Sequence, residues 1–400
     1  MWHDVRDLLT NDRGAALVIT LFVVALITIL VLQYHFDAAV EVELADSYAS
    51  DLQAYYLAMS GLNFARAVLQ SDTNNYDAAD EPWAMLGTVG CVSPQELLAL
   101  ARAMGEEQEA SGTNSPIDIE KVLQEAGREE TANGAEGGDT PVSCVRINIV
   151  DEARKLPITA LYDAQTCAKN LDWEGIFTRF FEDFKIKEND VGDAINALVD
   201  WMDTSCEAPD AELSGGAEDD YYESLERPYT TPYLPMQVPG ELRLVRYFTC
   251  EELAKLFPGK ECKDVADLDI GSNNYLTPYS DAAAGASVNI NTANEAVLRA
   301  ILDETCVKDI LDARGVSFEG QLVGGKPFES SSDLSTVCGG VLGQQAANTP
   351  IIGFRSTYFR VEVVGEVGGL IKKKVVAVVS RSGQGIQSGG GPQMVYFKVE

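Results

Sequence analysis

The sequence predicts an α+β protein in which one long N-terminal helix packs on a small antiparallel β-sheet and a large helical domain is inserted between strands of that sheet. Three observations carry this reading. Residues Ala15 to Leu32 run for eighteen positions without a charge. Apolar and polar side chains alternate at 142–150, and again at 358–380, more than two hundred residues later. The chain between these strands is rich in helical signals and contains an internal repeat.

At a rise of about 1.5 Å per residue the eighteen-residue apolar run is just long enough to cross a bilayer core. Arg6 and Arg13 lie ahead of it, which orients the N-terminus to the cytoplasm and the bulk of the chain outward. Gln33, Tyr34, His35 and Phe36 follow it, so the small-residue cleavage site of a secretory signal peptide is missing there. Small residues sit instead before the run, at Gly14-Ala15-Ala16. Beyond the span, Leu44, Tyr48, Leu52, Tyr55, Met59, Leu62, Ala65 and Leu69 recur at three and four residues, predicting one continuous helix over 15–71. Asp72, Asn74 and Asn75 end it. Gly61 inside it costs about 1 kcal/mol against alanine and implies close packing.

The 400 residues carry 62 acidic against 30 basic side chains, a formal charge of −32, with 46% apolar content. That composition supports packed cores, opposes binding to nucleic acid, and favours cationic partners or ions. Eight cysteines, none in a C-x-x-C pair, fit four disulfides in an oxidising compartment: Cys91, Cys144, Cys167, Cys206, Cys250, Cys262, Cys306 and Cys338. Cys250 with Cys262 and Cys306 with Cys338 are the pairings favoured by closeness in sequence.

The segments 94–104 and 119–130 read as two short helices flanked by polar loops, an acidic insertion within a β part at 72–155. Val142 to Val150 is a strand. Tyr358–Val367 and Ile371–Ser380 form a hairpin about a two-residue Gly368-Gly369 turn, within a C-terminal β part at 354–400. The domain inserted between them, 156–353, is expected to be all-α, with helical units at about 156–258 and 288–343. Pro235-Met236, Glu241-Leu242 and Val245 recur at identical offsets in Pro327-Phe328, Asp333-Leu334 and Val337. Val288 to Leu302 looks like the opening of a helix-hairpin-helix, with Asn291-Thr292 as the cap and Leu298 and Leu302 facing the core. Its hairpin, Asp303 to Cys306, offers acids where a DNA-binding unit offers glycine amides and lysines, so nucleic acid is not an expected partner. Gly320-x4-Gly325-Lys326 lacks the hydroxyl and the feeding strand of a phosphate loop. The only histidines are His3 and His35, and no nucleophile motif occurs, so no enzyme activity is expected.

Between Asp200 and Glu226 stand ten carboxylates and no Lys or Arg, interrupted by Pro209 and Gly215-Gly216. Oxygen ligands crowded on a flexible acidic loop, here 200–226, suit Ca²⁺, without the spacing of an EF-hand. Trp201, Tyr221 and Tyr222 imply that the loop packs.

The Gly14-Ala15 junction before an apolar helix resembles the leader of type IV pilins and type II secretion pseudopilins. The resemblance implies a leader at 1–14 removed by prepilin peptidase, with Ala15 as the mature N-terminus. Most such proteins place a glutamate at the fifth mature position, where this chain has Ile19. That departure, the helical insert and the D-W-x-D … G-G-A-E-D-x-Y-Y stretch are similar to the large K-type minor pseudopilins. This likeness implies two SAM-like helical units, calcium held by Asp200, Asp203, Glu218 and Asp219, with Glu207 and Asp220 beside them, and a place at the pseudopilus tip in the bacterial inner membrane. The implied partners are other minor pseudopilins, the prepilin peptidase, the inner-membrane assembly platform and membrane lipid. A minor pilin of a type IV or competence pilus shares the leader and the long helix.

Overall fold

A computed structural model describes residues 12–109, 119–132, 143–187, 190–203, 213, 215–257, 261, 274–280, 286–318, 321–323, 325–339, 350–381 and 391–400. Helix α1 (Asp12–Ser71) is continuous over 60 residues. Two short helices, α2 (Pro82–Met85) and α3 (Pro94–Glu109), follow it, then α4 (Ile119–Ala132). Strands β1 (Ser143–Asp151), β10 (Tyr358–Val367), β11 (Ile371–Ser380) and β12 (Gln393–Val399) form one antiparallel sheet in that order. The first pairing runs in unbroken register from Ser143 opposite Val367 to Asp151 opposite Phe359. Strands at 143–151 and 358–380 are the ones expected, and β12 is an addition to them.

The face of α1 that meets the sheet consists of Ala54, Ala58, Leu62, Ala65 and Leu69, all buried. They face Val145, Ile147 and Ile149 of β1, Phe359, Val361 and Val363 of β10, and Val375, Ala377 and Val379 of β11. The upstream members of the expected stripe, Leu44, Tyr48 and Leu52, are exposed, because apolar packing on the sheet begins at Ala54, preceded only by the polar contacts of Asp51 with Lys373 and Gln53 with Ser143. Helices α3 and α4 also belong to this core through Leu100 and Ile119, and Cys91–Cys144 ties their leading segment to β1 with a Cα separation of 5.5 Å.

Two glycines set how closely the helix approaches. A Cβ on Gly61 would lie 2.7 Å from Val363 Cγ1, and one on Gly365 would lie 2.1 Å from the Ala54 carbonyl oxygen. The first clash is with a side chain and the second with helix backbone, so Gly365 is the less replaceable. Gly365→Ala is expected to lower stability by about 2 kcal/mol, the scale of overpacking a filled core. Denaturant unfolding measures it, and a loss no greater than that for Gly369→Ala in the exposed hairpin would contradict this packing.

The hairpin turn differs from the two-residue loop expected. Gly368 and Gly369 both have positive φ, and Leu370 N–H donates to Val367 O at 3.4 Å, which closes the tight turn. Strand pairing resumes only at Val367 opposite Ile371, leaving Leu370 as an extra, exposed residue. The loop is therefore three residues long.

The inserted segment has its own core, from Leu156 to Ile351. Its helices are α5 (Leu171–Asp183), α6 (Val191–Met202), α7 (Asp219–Glu223), α8 (Cys250–Leu256), α9 (Glu295–Ile301), α10 (Glu304–Arg314) and α11 (Ser331–Val337). The insert is not the all-α domain expected, since alongside the helices its described residues carry four short strand pairs: β2 (Leu156–Pro157) with β5 (Leu276–Thr277), β3 (Tyr162–Asp163) with β4 (Ala168–Lys169), β6 (Val288–Asn289) with β9 (Ile352–Gly353), and β7 (Val316–Phe318) with β8 (Gln321–Val323). Aromatic residues of α5 (Trp173, Phe177, Phe180 and Phe181) pack at its centre with Leu198, Phe248 and Leu298.

The sequence repeat has a physical meaning here. Glu241 accepts the amides of Gln237 and Val238 at 2.8 and 2.9 Å, and Asp333 accepts those of Glu329 and Ser330, both at 3.0 Å. The repeated acid is thus a helix-entry cap, serving the 3₁₀ turn Pro239–Leu244 in one copy and α11 in the other. The repeated apolar positions Met236, Phe328, Leu242 and Leu334 are buried.

One expected cap is displaced. Asn294, not Asn291-Thr292, caps α9 by accepting from Val297 N–H at 2.9 Å. Asn291 is used instead in a two-way bond with the Phe328 backbone, and Thr292 donates to Asp151. In the following hairpin the amides of Thr305 and Cys306 are taken by Asp303. Gly325 packs against the end of α10, where a Cβ would lie 2.2 Å from the Arg314 carbonyl carbon.

Cys306 and Cys338 are joined, with Cα atoms 4.7 Å apart. Cys167 and Cys250 are disulfide-bonded. Cys206 and Cys262 lie outside the described residues, and with them the pairing of Cys250 to Cys262.

Candidate functional site

Three regions bear on function. The first is α1, the one helix among the described residues long and apolar enough to cross a membrane. Gly14 and Ala15 lie in its first turns, and Ile19 is exposed together with Leu17, Phe22 and Leu30 of the same segment. Among the described residues nothing in the globular part covers this surface.

The second is the acidic loop. Helix α6 ends at Met202 and delivers Asp200 into the interior, 1% exposed. Its carboxylate accepts Ala217 N–H at 2.9 Å and Leu213 N–H at 3.4 Å, folding the loop back on the helix. Gly216 is required beneath it, since a Cβ there would lie 1.7 Å from Asp200 Oδ2. The carbonyls of Gly215 and Gly216 are held by Tyr247 Oη at 3.0 Å and Arg246 at 2.8 Å. Trp201 packs edge-to-face on Tyr222 and Tyr229, whose own rings are tilted by 30°, which accounts for the aromatic residues beside the acids.

Burial pushes the Asp200 carboxyl up to about 7, and the charges of Asp203 and Glu218 push it in the same direction. These three acids therefore share one electrostatic environment. Asp219 faces elsewhere: it accepts Thr231 N–H and Oγ1–H, both at 2.8 Å, and these bonds hold it below the usual carboxylate range against the opposing effect of desolvation. Asp220 is exposed, and Glu207 lies outside the described residues. Asp200, Asp203 and Glu218 do not bring three carboxylate oxygens within 4.8 Å of one another, and both Asp200 oxygens are taken by backbone N–H groups.

The third region is the junction between the two cores, which sequence reasoning did not identify as a site. Arg381, after β11, pairs with Asp72 and Asp77 and donates to Ser356 O at 2.6 Å, while its guanidinium stacks 4.6 Å from the Phe359 ring centroid. Asn289 of the insert faces Asp77 O, Asp151 Oδ2 and Ser356 Oγ, each at 3.0 Å. A second buried pair lies nearby: Lys155 Nζ donates to Glu152 at 2.6 Å, and Thr277 donates to the other Glu152 oxygen at 2.6 Å. Burial raises Asp77 to about 8 even with Arg381 beside it pulling it down, and burial with the charge of Asp72 raises Glu81 to about 7. Among the described residues, Asp72, Asp77 and Glu81 form the one group of three or more acids whose oxygens lie within 4.8 Å of one another. The local sequence holds no sign of it beyond the helix-ending Asp72, because Arg381 comes from three hundred residues away.

Residues 154–259, the first half of the insert including α5 to α8 and the acidic loop, match the family model described as "Type II secretion system (T2SS), protein K". No curated protein matches the chain. Among solved structures it is similar to "The Crystal Structure of the GspK-GspI-GspJ complex from enterotoxigenic Escherichia coli Type 2 Secretion System", with 13% identity and a TM-score of 0.45 over 75% of this chain and 99% of that one. Residues 154–259, the segment that builds the acidic loop, are thus similar to the type II secretion system protein K family.

Proposed function

We propose that the protein is inserted in the inner membrane with its N-terminus cytoplasmic, is cut by prepilin peptidase between Gly14 and Ala15, and occupies the tip of the pseudopilus. There it joins other minor pseudopilins to start assembly and support export of folded proteins. The observation that carries the tip position is Ile19. A subunit within the shaft pairs a carboxylate at this position with the amine of its neighbour, and an isoleucine offers no such partner. The insert adds a second reason, because a second core of this size beside the sheet would collide with subunits stacked above and below. The role is structural, not catalytic. Calcium is proposed at the acidic loop through Asp200, Asp203 and Glu218, where it would relieve the repulsion among two buried carboxylates and a half-buried one.

Mass spectrometry of protein from cells with active prepilin peptidase should find Ala15 first, and Gly14→Val should leave the longer precursor in the membrane. Label on the mature protein should appear once per pseudopilus, at one end. An N-terminus at Met1 or beyond Leu32 contradicts the maturation, and periodic label along the shaft contradicts the tip position.

A further inference from the structure

The twelve residues after α1 fold against the sheet and bring three carboxylates into one buried site. Asp77 is fully buried, Glu81 is 3% exposed and the Asp72 side chain 8% exposed. Asp72 accepts Asn74 N–H at 3.1 Å and one arm of Arg381. Asp77 Oδ2 accepts Ser356 N–H at 2.6 Å and the other arm of Arg381. Glu81 accepts Asn74 Nδ2 at 2.7 Å, with Ala78 N–H and Trp83 Nε1 both at 2.9 Å. Asp77 Oδ1 is buried and meets no donor among the described residues.

Two features point to a ligand. The first is that unpartnered oxygen on a wholly buried carboxylate, a group whose desolvation is costly unless something compensates it. The second is composition: three carboxylates face the single guanidinium of Arg381, so a cation that displaces their protons would be matched by negative charge the site already holds in reserve. The surrounding donors are oxygen only, with no His or Cys among them, and at least one oxygen from each acid lies within 4.8 Å of the other two. We propose that Asp72, Asp77 and Glu81 bind a divalent, oxygen-preferring cation of the calcium class at the junction between the helix-and-sheet core and the inserted domain.

The ion would complete the Asp77 coordination that Arg381 leaves open. Its effect would reach both domains, because Asp77 also bonds the insert side of the junction. The Asp77 N–H donates to Phe354 O at 2.7 Å, and its carbonyl faces Asn289 of the insert at 3.0 Å. The site is separate from the acidic loop, and the inference does not depend on calcium binding there.

Trp83 allows the two sites to be told apart. Its indole nitrogen is 2.9 Å from Glu81, whereas Trp201 belongs to the acidic loop, so terbium at the junction should be sensitised by Trp83. Full-length protein in detergent micelles is titrated with terbium under tryptophan excitation, and calcium is then added as competitor. Emission that calcium displaces is expected, with a component lost in Trp83→Phe and retained in Asp203→Asn. Asp77→Asn should weaken that component at least tenfold. Glu81→Gln, which keeps the Asp77–Arg381 contact intact, should weaken it similarly and serves if Asp77→Asn does not fold. No Trp83-dependent emission, emission that millimolar calcium does not displace, or equal affinity in the acid variants and the wild type would each overturn the proposal.

Discussion

Replacement of Arg381 by methionine is expected to destabilise the full-length protein by about 3–5 kcal/mol, the cost of breaking a buried ion pair from one side. Methionine restores much of the volume over Phe359 but leaves Asp72 and Asp77 without their cation and Ser356 O without its donor. The comparison that isolates burial is Arg146→Met. Arg146 pairs with Glu366 across the sheet, but its side chain is 46% exposed, and such a pair contributes about 0.2–1 kcal/mol. Denaturant unfolding in excess chelator, which removes any contribution of a bound ion, should separate the two variants clearly. Equal losses would mean that the junction is held by its apolar contacts, and that the Arg381 network adds little.

Calcium should raise the melting temperature of the wild type. Binding only to the folded state stabilises it by RT ln(1 + [L]/Kd), about 2.7 kcal/mol at a hundredfold excess over Kd. Asp203→Asn keeps the shape of the side chain and removes one of the charges that bear on Asp200, so it should reduce the calcium response and slightly stabilise the metal-free protein. Asp77→Asn should reduce the response independently, since that residue lies in the other core. The measurement is melting in detergent with chelator, with millimolar calcium and with millimolar magnesium. An Asp203→Asn protein that responds to calcium like the wild type would remove the acidic loop as a calcium site.

Much of the fold was legible because its signals are local and periodic. The eighteen uncharged residues at 15–32, the alternation at 142–150 and the glycine turn at 368–369 each specify an element without reference to the rest of the chain. Gly61 was readable as a packing position, and the repeat at 235–245 and 327–337 was readable as two similar units, though not as two caps. What the sequence did not disclose depends on distant partners. Strand β12 lacks a polar alternation: Met394, Val395, Phe397 and Val399 are all partly exposed apolar residues at a sheet edge. Leu44, Tyr48 and Leu52 share the helical period of the packed face, and only the length of the sheet decides that they lie beyond it. In the acidic loop the charges were evident and their directions were not, because Asp219 turns to Thr231 and Asp200 is spent on the Gly216 turn. At the junction the four charged residues come from 72–81 and from 381, so neither stretch alone suggests a site.

The exposed stretch of α1 between the apolar run and the sheet has a mechanical consequence. Residues 33–49 make a single helix without a contact to the sheet among the described residues, about 25 Å long at 1.5 Å per residue, so the head is carried on a stiff post whose length is counted in residues. Each residue added to or removed from that post lifts or lowers the head by about 1.5 Å and also turns it by about 100° around the helix axis. Height and heading are therefore geared together: the direction in which the insert faces about the helix axis is fixed by the number of residues in the post, while both cores remain untouched by the change.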